Sequence, residues 1–570
     1  MTVLYEGSRW VGLTGYALHA PTCSYIPLRP EPRESKRYPL SPRACKGDRG
    51  PVGSNERGNQ TRQQTGRQTG QKSGASLDAS VAGSPSANAA STHARGPRLL
   101  FLLLLALVVL APLPQGGREP WSAFLLIAWV GGLLTLACAA TLVGSLGRSL
   151  GGTHDLWPPT SSMRVPTLLF LGTCAWTAVQ WMPWTPAALH HPLWADAEAT
   201  LGQSLPGSIS LNPGQTIASG LQLLAYGGVF VLALGLGRDP GRARRGLQVF
   251  VYAGFAYALY GLIAFFSGSE LILWFGERRN TASLTSTFEN RNSYATLAGM
   301  GLVAAFALLL DGLGSVLRAR VPPRTRLRWT LHHIFGPAAP LLVATLVIAT
   351  ALLLTASRGG TLSALFGLLV LAGAFSRAGA LPARPVSIIV GAILLAGVLV
   401  FTLSGDHLAK RLELIDREMD GRTAVYKTVL GAVADAPLLG TGYGTFADVF
   451  PLYRDASIPR TERWEAAHNT YLENALELGV PAAMTLFGSI AACARICWLG
   501  IRRRRQHRVY PMVGVAVTAL VATHAWVDFS LQIPAISYAY AFLLGLACAQ
   551  SFPSQPQASA PPTQAPQQPR

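Results

Sequence analysis

The sequence predicts an all-α polytopic membrane protein with about twelve transmembrane helices and one large extramembrane loop between spans 9 and 10. Three observations predict this class. Asp, Glu, Lys and Arg make up only 13% of the chain, about half the share of an ordinary soluble domain. Apolar runs of roughly 18 residues or more recur, the length a helix needs to cross a bilayer. Basic residues collect in alternate connections between those runs, which is the asymmetry that orients membrane helices.

Residues 1–97 are rich in Gly, Ser, Pro, Gln, Thr and Arg and hold thirteen Lys/Arg against six Asp/Glu. Such a segment buries too little apolar surface to offset chain entropy, so a disordered tail is expected. It is not a signal peptide, because the apolar run begins only after Arg98. A cytoplasmic tail and an upstream start codon are both compatible with it. Residues 98–404 hold spans 1–9, at roughly 99–113, 121–145, 165–182, 216–237, 247–267, 292–311, 338–356, 360–376 and 386–403. Residues 405–471 form the large loop, and residues 472–550 hold spans 10–12, at roughly 473–499, 510–527 and 533–550. Residues 551–570 are rich in Pro, Gln and Ala and read as a second disordered tail.

The net charge of +19 is no nucleic-acid signal, because most of it lies in the first tail and in short connections. Arg238 to Arg245, Arg318 to Arg328, Arg377 with Arg384, and Arg502 to Arg505 fall on the same side as both termini, while residues 183–214 carry no Lys or Arg. That side is read as cytoplasmic, so the large loop lies outside the cytoplasm. The seven cysteines show no metal-knuckle spacing, and Cys493 and Cys497 read as small core residues. No internal repeat is visible, which weakens a transporter built from inverted halves.

Within the loop, Val425, Val429 and Val433 give Arg422–Ala434 a helical face that Pro437 ends. The run Gly440-Thr441-Gly442-Tyr443-Gly444 needs an unusual backbone and reads as a tight turn. His468 precedes a long apolar helix that Asn469 or Thr470 could cap.

Four residues stand out by type and side. Arg291 opens span 6, Arg358 sits between spans 7 and 8, and Arg422 and His468 belong to the loop. Positive-inside orientation predicts few Arg on this side, and a charge near hydrocarbon is costly unless it is paired or faces a polar cavity. Snorkelling to headgroups is the alternative. Arg358 is flanked by Ser357, Gly359 and Gly360, small neighbours that leave room for an anion at a guanidinium whose planar fork suits phosphate. His468 before a helix N-terminus is expected to stay neutral, the state a general base requires. His407 has no comparable surroundings.

Other patterns carry little. Gly147-Arg148-Ser149-Leu150-Gly151 has nucleophile-elbow spacing but lies on the cytoplasmic side with no strand before it. The Gly440–Gly444 run lacks dinucleotide-fingerprint spacing. Asp196 and Glu198 read as solvated carboxylates. No Walker loop and no His/carboxylate metal cluster is visible, so no metal or cofactor is expected.

The chain resembles the O-antigen ligase/O-antigen polymerase superfamily, which includes pilin O-oligosaccharyltransferase-like proteins, over about residues 99–550. The resemblance rests on Thr355-Ala356-Ser357-Arg358-Gly359-Gly360, on Gly421-Arg422 followed by Pro437-Leu438-Leu439-Gly440-Thr441-Gly442-Tyr443-Gly444-Thr445-Phe446, and on His468-Asn469-Thr470-Tyr471-Leu472 before Glu477-Leu478-Gly479. It implies a GT-C-like glycosyltransferase of the bacterial inner membrane, with both termini cytoplasmic and the site periplasmic. It also implies a glycan donor on a polyprenyl pyrophosphate, typically undecaprenyl, and an acceptor hydroxyl on lipid A-core, another glycan or a protein. Residue by residue, it implies that Arg358 and Arg422 bind the pyrophosphate, with Arg291 as a third cation, that His468 is the catalytic base, and that transfer inverts without a metal. Tyr443 and Trp464 are candidates for sugar contact, with core packing as their alternative. Ligase, polymerase and protein O-oligosaccharyltransferase remain open. From another class, a flippase for the same lipid would need charged or broken helices near the midplane, and a non-catalytic assembly partner is a further alternative.

Overall fold

The computed structural model describes residues 86–113, 115–148, 160–273, 276–277, 282–403, 408–455, 458 and 464–552. Over these residues the chain is helical apart from one pair of two-residue strands, Leu271–Ile272 against Gly276–Glu277. The helices are α1 (Ser86–Leu110), α2 (Pro120–Arg148), α3 (Thr160–Trp181), α4 (Leu193–Leu201), α5 (Pro213–Leu236) and α6 (Pro240–Phe266). They continue with α7 (Arg291–Leu317), α8 (Pro323–Phe335), α9 (Ala339–Leu354), α10 (Arg358–Arg377), α11 (Ala383–Leu403) and α12 (Leu408–Asp435). The last are α13 (Phe446–Tyr453), α14 (Thr470–Leu478), α15 (Val480–Arg503), α16 (Val509–His524) and α17 (Pro534–Ala549).

Among the described residues, six helices are long and apolar enough to cross a bilayer: α2, α5, α6, α7, α10 and α15. Helices α8 and α9 reach that length together but meet at a bend of 70°. The protein is therefore a multi-pass membrane protein. Twelve spans were expected, and every expected window holds a helix, but α1, α3, α11, α16 and α17 do not meet the same length and apolarity test. Helices α16 and α17 have sixteen residues each, about 24 Å of rise, and α17 is buried along nearly its whole length between α5 and α16. It is apolar on every face because every face is covered.

Side-chain caps start five of the helices. Asn212, Asp239, Asn290, Ser357 and Asn469 each accept a backbone N–H from the first turn of α5, α6, α7, α10 and α14, filling orphan donors that would otherwise need water. The expected helix over Arg422–Ala434 lies inside α12, and Asn469 caps as anticipated.

Two expectations differ. The window 473–499 is not one helix, because Gly479 at φ 76° separates α14 from α15. The carbonyls freed at the end of α14 are taken up by the 437–444 turn: Thr441 N donates to Leu476 O at 3.0 Å, and Gly442 N to Glu477 O at 3.0 Å. Gly440 (φ 70°) is required at this crossing, since a Cβ there would stand 2.4 Å from Glu477 O. The second difference concerns the tail. Helix α1 begins at Ser86, inside the segment 1–97 expected to lack structure. The stretch before Pro97 contains Ala87, Ala89, Ala90 and Ala94. Residues 1–85, His407, Ser149 to Gly151 and residues 553–570 lie outside the described residues.

Candidate active site

The turn between α16 and α17 collects the polar side chains. Asp528 is wholly buried there. Its carboxylate accepts from Asn292 Nδ2 at 3.1 Å and from Ser530 Oγ, and its backbone oxygen accepts from Thr470 Oγ1 at 3.0 Å. Asn292 is the second residue of α7, and its Oδ1 accepts at 2.8 Å from Ser357 Oγ, the cap of α10. Thr296, one turn further along α7, meets His524 Nδ1 at 2.7 Å and donates to Ser530 Oγ at 2.9 Å. The N-termini of α7, α10 and α14 are thus tied to one turn by side-chain hydrogen bonds.

His468 Nδ1 lies 3.9 Å from Asp528 Oδ1 and makes no hydrogen bond among the described residues. That separation is about 1 Å beyond a hydrogen bond. The ring packs edge-on against Phe529 (centroids 4.7 Å apart) and Trp464 (5.5 Å). His468 adopts φ 52°, a left-handed backbone that non-glycine residues seldom take. Its neighbours hold that geometry: Tyr426 Oη donates to His468 O at 2.9 Å, Glu473 Oε2 accepts from Ala467 N at 2.7 Å, and Asn469 caps α14. Burial pushes the imidazole pKa down, Asp528 opposes this, and the Arg422 guanidinium adds to it, leaving it at about 4. The largest cause of this lowering is burial, where the sequence pointed to the helix N-terminus.

Arg422 is half-buried on α12, and its Nη1 donates to Val527 O at 3.3 Å, one residue before Asp528. Arg358 is exposed as the first residue of α10, directly after Ser357. Gly359 lies against Val527 and His524, and a Cβ on Gly360 would stand 2.5 Å from Ala295 Cβ. These small residues therefore serve the close approach of α10 to α7 and to the α16–α17 turn. Arg291 is the first residue of α7, next to Asn292. Arg422 and His468 thus reach the Val527–Asp528 turn directly, while Arg358 and Arg291 are the chain neighbours of Gly359 and Asn292, which touch it. Nearby, Arg118 bridges Glu289 at 3.3 Å and also pairs with Glu465, linking segments beside Arg291 and His468.

The two aromatic candidates part company. Trp464 stands at His468, and its indole N–H has no hydrogen-bond partner among the described residues. Tyr443 packs instead with Leu223, Leu478, Trp176 and Tyr226. It lines a cavity of about 600 Å³ between α3, α5, α15 and α17, whose walls include Phe170, Leu224 and Phe487. Its polar lining includes Thr470, Asn474, Glu477 and Gln532. Thr470 Oγ1 also bonds Asp528 O and Gln532 Oε1, so the cavity and the His468 surroundings share a wall.

Sequence reasoning missed Asp528, Asn292, Thr296 and His524. A signal for Asp528 existed, because it is the only Asp or Glu after Glu477 and sits beside two apolar runs, where a carboxylate is costly unless used. Glu198, read as solvated, accepts from Leu205 N at 2.9 Å and closes its own loop. Among the described residues, no group of three His, Cys, Asp or Glu side chains could hold a metal ion.

Comparison with curated proteins finds no match. Residues 343–487, a narrower stretch than 99–550, match the family model described as O-Antigen ligase. That stretch contains Arg358, Arg422 and His468 and leaves out Arg291, Asn292 and Asp528, so the match to the O-antigen ligase superfamily rests on this part of the chain.

Proposed function

We propose that the protein transfers a glycan from a polyprenyl pyrophosphate to an acceptor hydroxyl on the periplasmic side of a bacterial inner membrane, as an O-antigen ligase or polysaccharide polymerase. The observation that supports this reading is the approach of the largely buried His468 imidazole to Asp528, with Arg422 bonded to the residue before it. Arg358 and Arg422, with Arg291 beside them, hold the pyrophosphate and stabilise the charge that develops as it leaves. In the transfer step the acceptor oxygen bonds to the anomeric carbon, and the bond from that carbon to the pyrophosphate oxygen breaks. The electron pair leaves with polyprenyl pyrophosphate, and the acceptor proton passes to His468 Nε2. Asp528 then faces the imidazolium through Nδ1 and steadies it. Attack opposite to the leaving group inverts the anomeric centre, and the arginines meet the charge without a metal.

Trp464 offers a face for a sugar ring beside the base. The cavity lined by Tyr443 and Phe170 suits a stretch of the polyprenyl chain, since it is apolar along its walls and polar where it meets Thr470 and Gln532. The architecture we infer is a GT-C-like bundle of twelve membrane segments, some shorter than the bilayer, with both termini cytoplasmic. The test is His468→Ala in membranes supplied with lipid-linked glycan. Loss of transfer is expected, and near-normal transfer overturns the base assignment.

A further inference from the structure

Helix α8 takes no part in the site described above. It follows α7, whose 27 residues rise about 40 Å from Arg291, so it stands at the opposite end of the bundle. It turns by 70° from α9 and lies across the end of that helix rather than continuing it. Its sequence, from Pro323 to Phe335, carries two stripes at the spacing of one helix face. Arg324, Arg328 and His332 line one open groove with Thr325 and Trp329, about 530 Å³ in volume. Leu327, Leu331 and Phe335 run beside it, 59%, 45% and 73% exposed. The inner side is anchored, since Arg326 Nη2 donates to Ala319 O at 3.1 Å. No Asp or Glu occurs between Asp311 and Asp406. The arginines of the groove therefore meet no neighbouring carboxylate in their own stretch of chain.

We propose that α8 is an interfacial helix that binds anionic phospholipid headgroups. Arg324, Arg328 and His332 take the phosphate, and Leu327, Leu331 and Phe335 sit in the acyl boundary beneath it. The charge pattern chooses the occupant. A polar helix face rich in arginine beside exposed large apolar residues and a Trp matches the headgroup layer of a bilayer. Two arginines on one face with no carboxylate between them prefer a lipid that carries net negative charge over a zwitterionic one. The leaflet is the cytoplasmic one on the topology proposed above, but the binding itself does not rest on that topology or on glycan transfer.

The experiment uses the full chain purified in neutral detergent, with native mass spectrometry of retained lipid. Phosphatidylglycerol and phosphatidylcholine compete in one arm, and inorganic phosphate is added in another. The wild type is expected to retain phosphatidylglycerol preferentially and to keep it against equimolar phosphate. R324Q/R328Q is expected to bind it about 20-fold more weakly, close to fivefold per charge removed. R384Q, which removes a cation outside α8, is expected to bind as the wild type does. Both replaced arginines of the double variant are exposed, and thermal unfolding of the variants checks that the fold is intact. Equal retention of the two lipids by the wild type overturns the proposal. So does unchanged affinity in the double variant, an equal loss in R384Q, or displacement of lipid by free phosphate.

Discussion

Replacing Asp528 by Asn removes one negative charge 3.9 Å from His468 Nδ1 and nearly preserves the shape of the side chain. At that distance a unit charge pair is worth about 4 kcal/mol at an effective dielectric of 20, and about 1 kcal/mol in bulk water. The His468 side chain is 24% exposed and Asp528 is wholly buried, so the pair lies between these limits, at about 2 kcal/mol. The charge acts only when the imidazole has taken a proton, so its loss falls on the transition state and not on substrate binding. The expected result for D528N is a fall of about 30-fold in kcat with little change in KM. The assay is release of polyprenyl pyrophosphate from lipid-linked glycan in membranes that contain the acceptor. The pH profile supplies an independent sign. A base must be neutral, and His468 is neutral above about 4. The acid limb of kcat/KM is therefore expected near pH 4 rather than near 6.5. Asp528 raises this pKa, so D528N moves the limb to still lower pH even though the rate at neutral pH drops. A D528N enzyme with wild-type kcat, or a limb that moves upward, refutes the reasoning.

The arginines give a contrasting pattern. R422Q removes a charged hydrogen-bond donor, worth about 1.5–3 kcal/mol, so kcat/KM is expected to fall about 10- to 100-fold. Arg422 also lowers the His468 pKa, so R422Q shifts the acid limb upward, and a downward shift would contradict the placement of that guanidinium. R358Q is expected to lose a similar factor in kcat/KM with the limb unmoved. G360A places a methyl group 2.5 Å from Ala295 Cβ. Overpacking of this kind costs about 1–3 kcal/mol, which thermal unfolding in detergent reads as a lower midpoint, and an unchanged midpoint would mean that α7 and α10 are not held that close.

Several residues of the candidate site could be read from the chain because their signals are local. Arg358, Arg422 and His468 stand out by charge type at the ends of apolar runs, and Asn469 as a cap needs only its neighbours. The break at Gly479 was also written locally, in Gly479-Val480-Pro481, yet the apolar content on both sides outweighed it and the window read as one helix. Asp528 is different in kind. Its importance comes from Asn292, Ser530, Thr470 and His468 meeting it. Three of these four lie 58 or more positions away in the chain, and their approach follows from helix packing.

The sequence by itself determined an all-helical membrane chain, the segments that form helices, and the cations and histidine set at their ends. These properties depend on composition, periodicity and capping within a few residues. Only the tertiary structure decided that Asp528 faces His468, that Trp464 and not Tyr443 stands at the imidazole, and that the ring is largely buried. Each of these depends on distances between segments far apart in the chain. Such distances are set by how α7, α10, α12, α14 and the α16–α17 turn pack together, and no single stretch of sequence contains them.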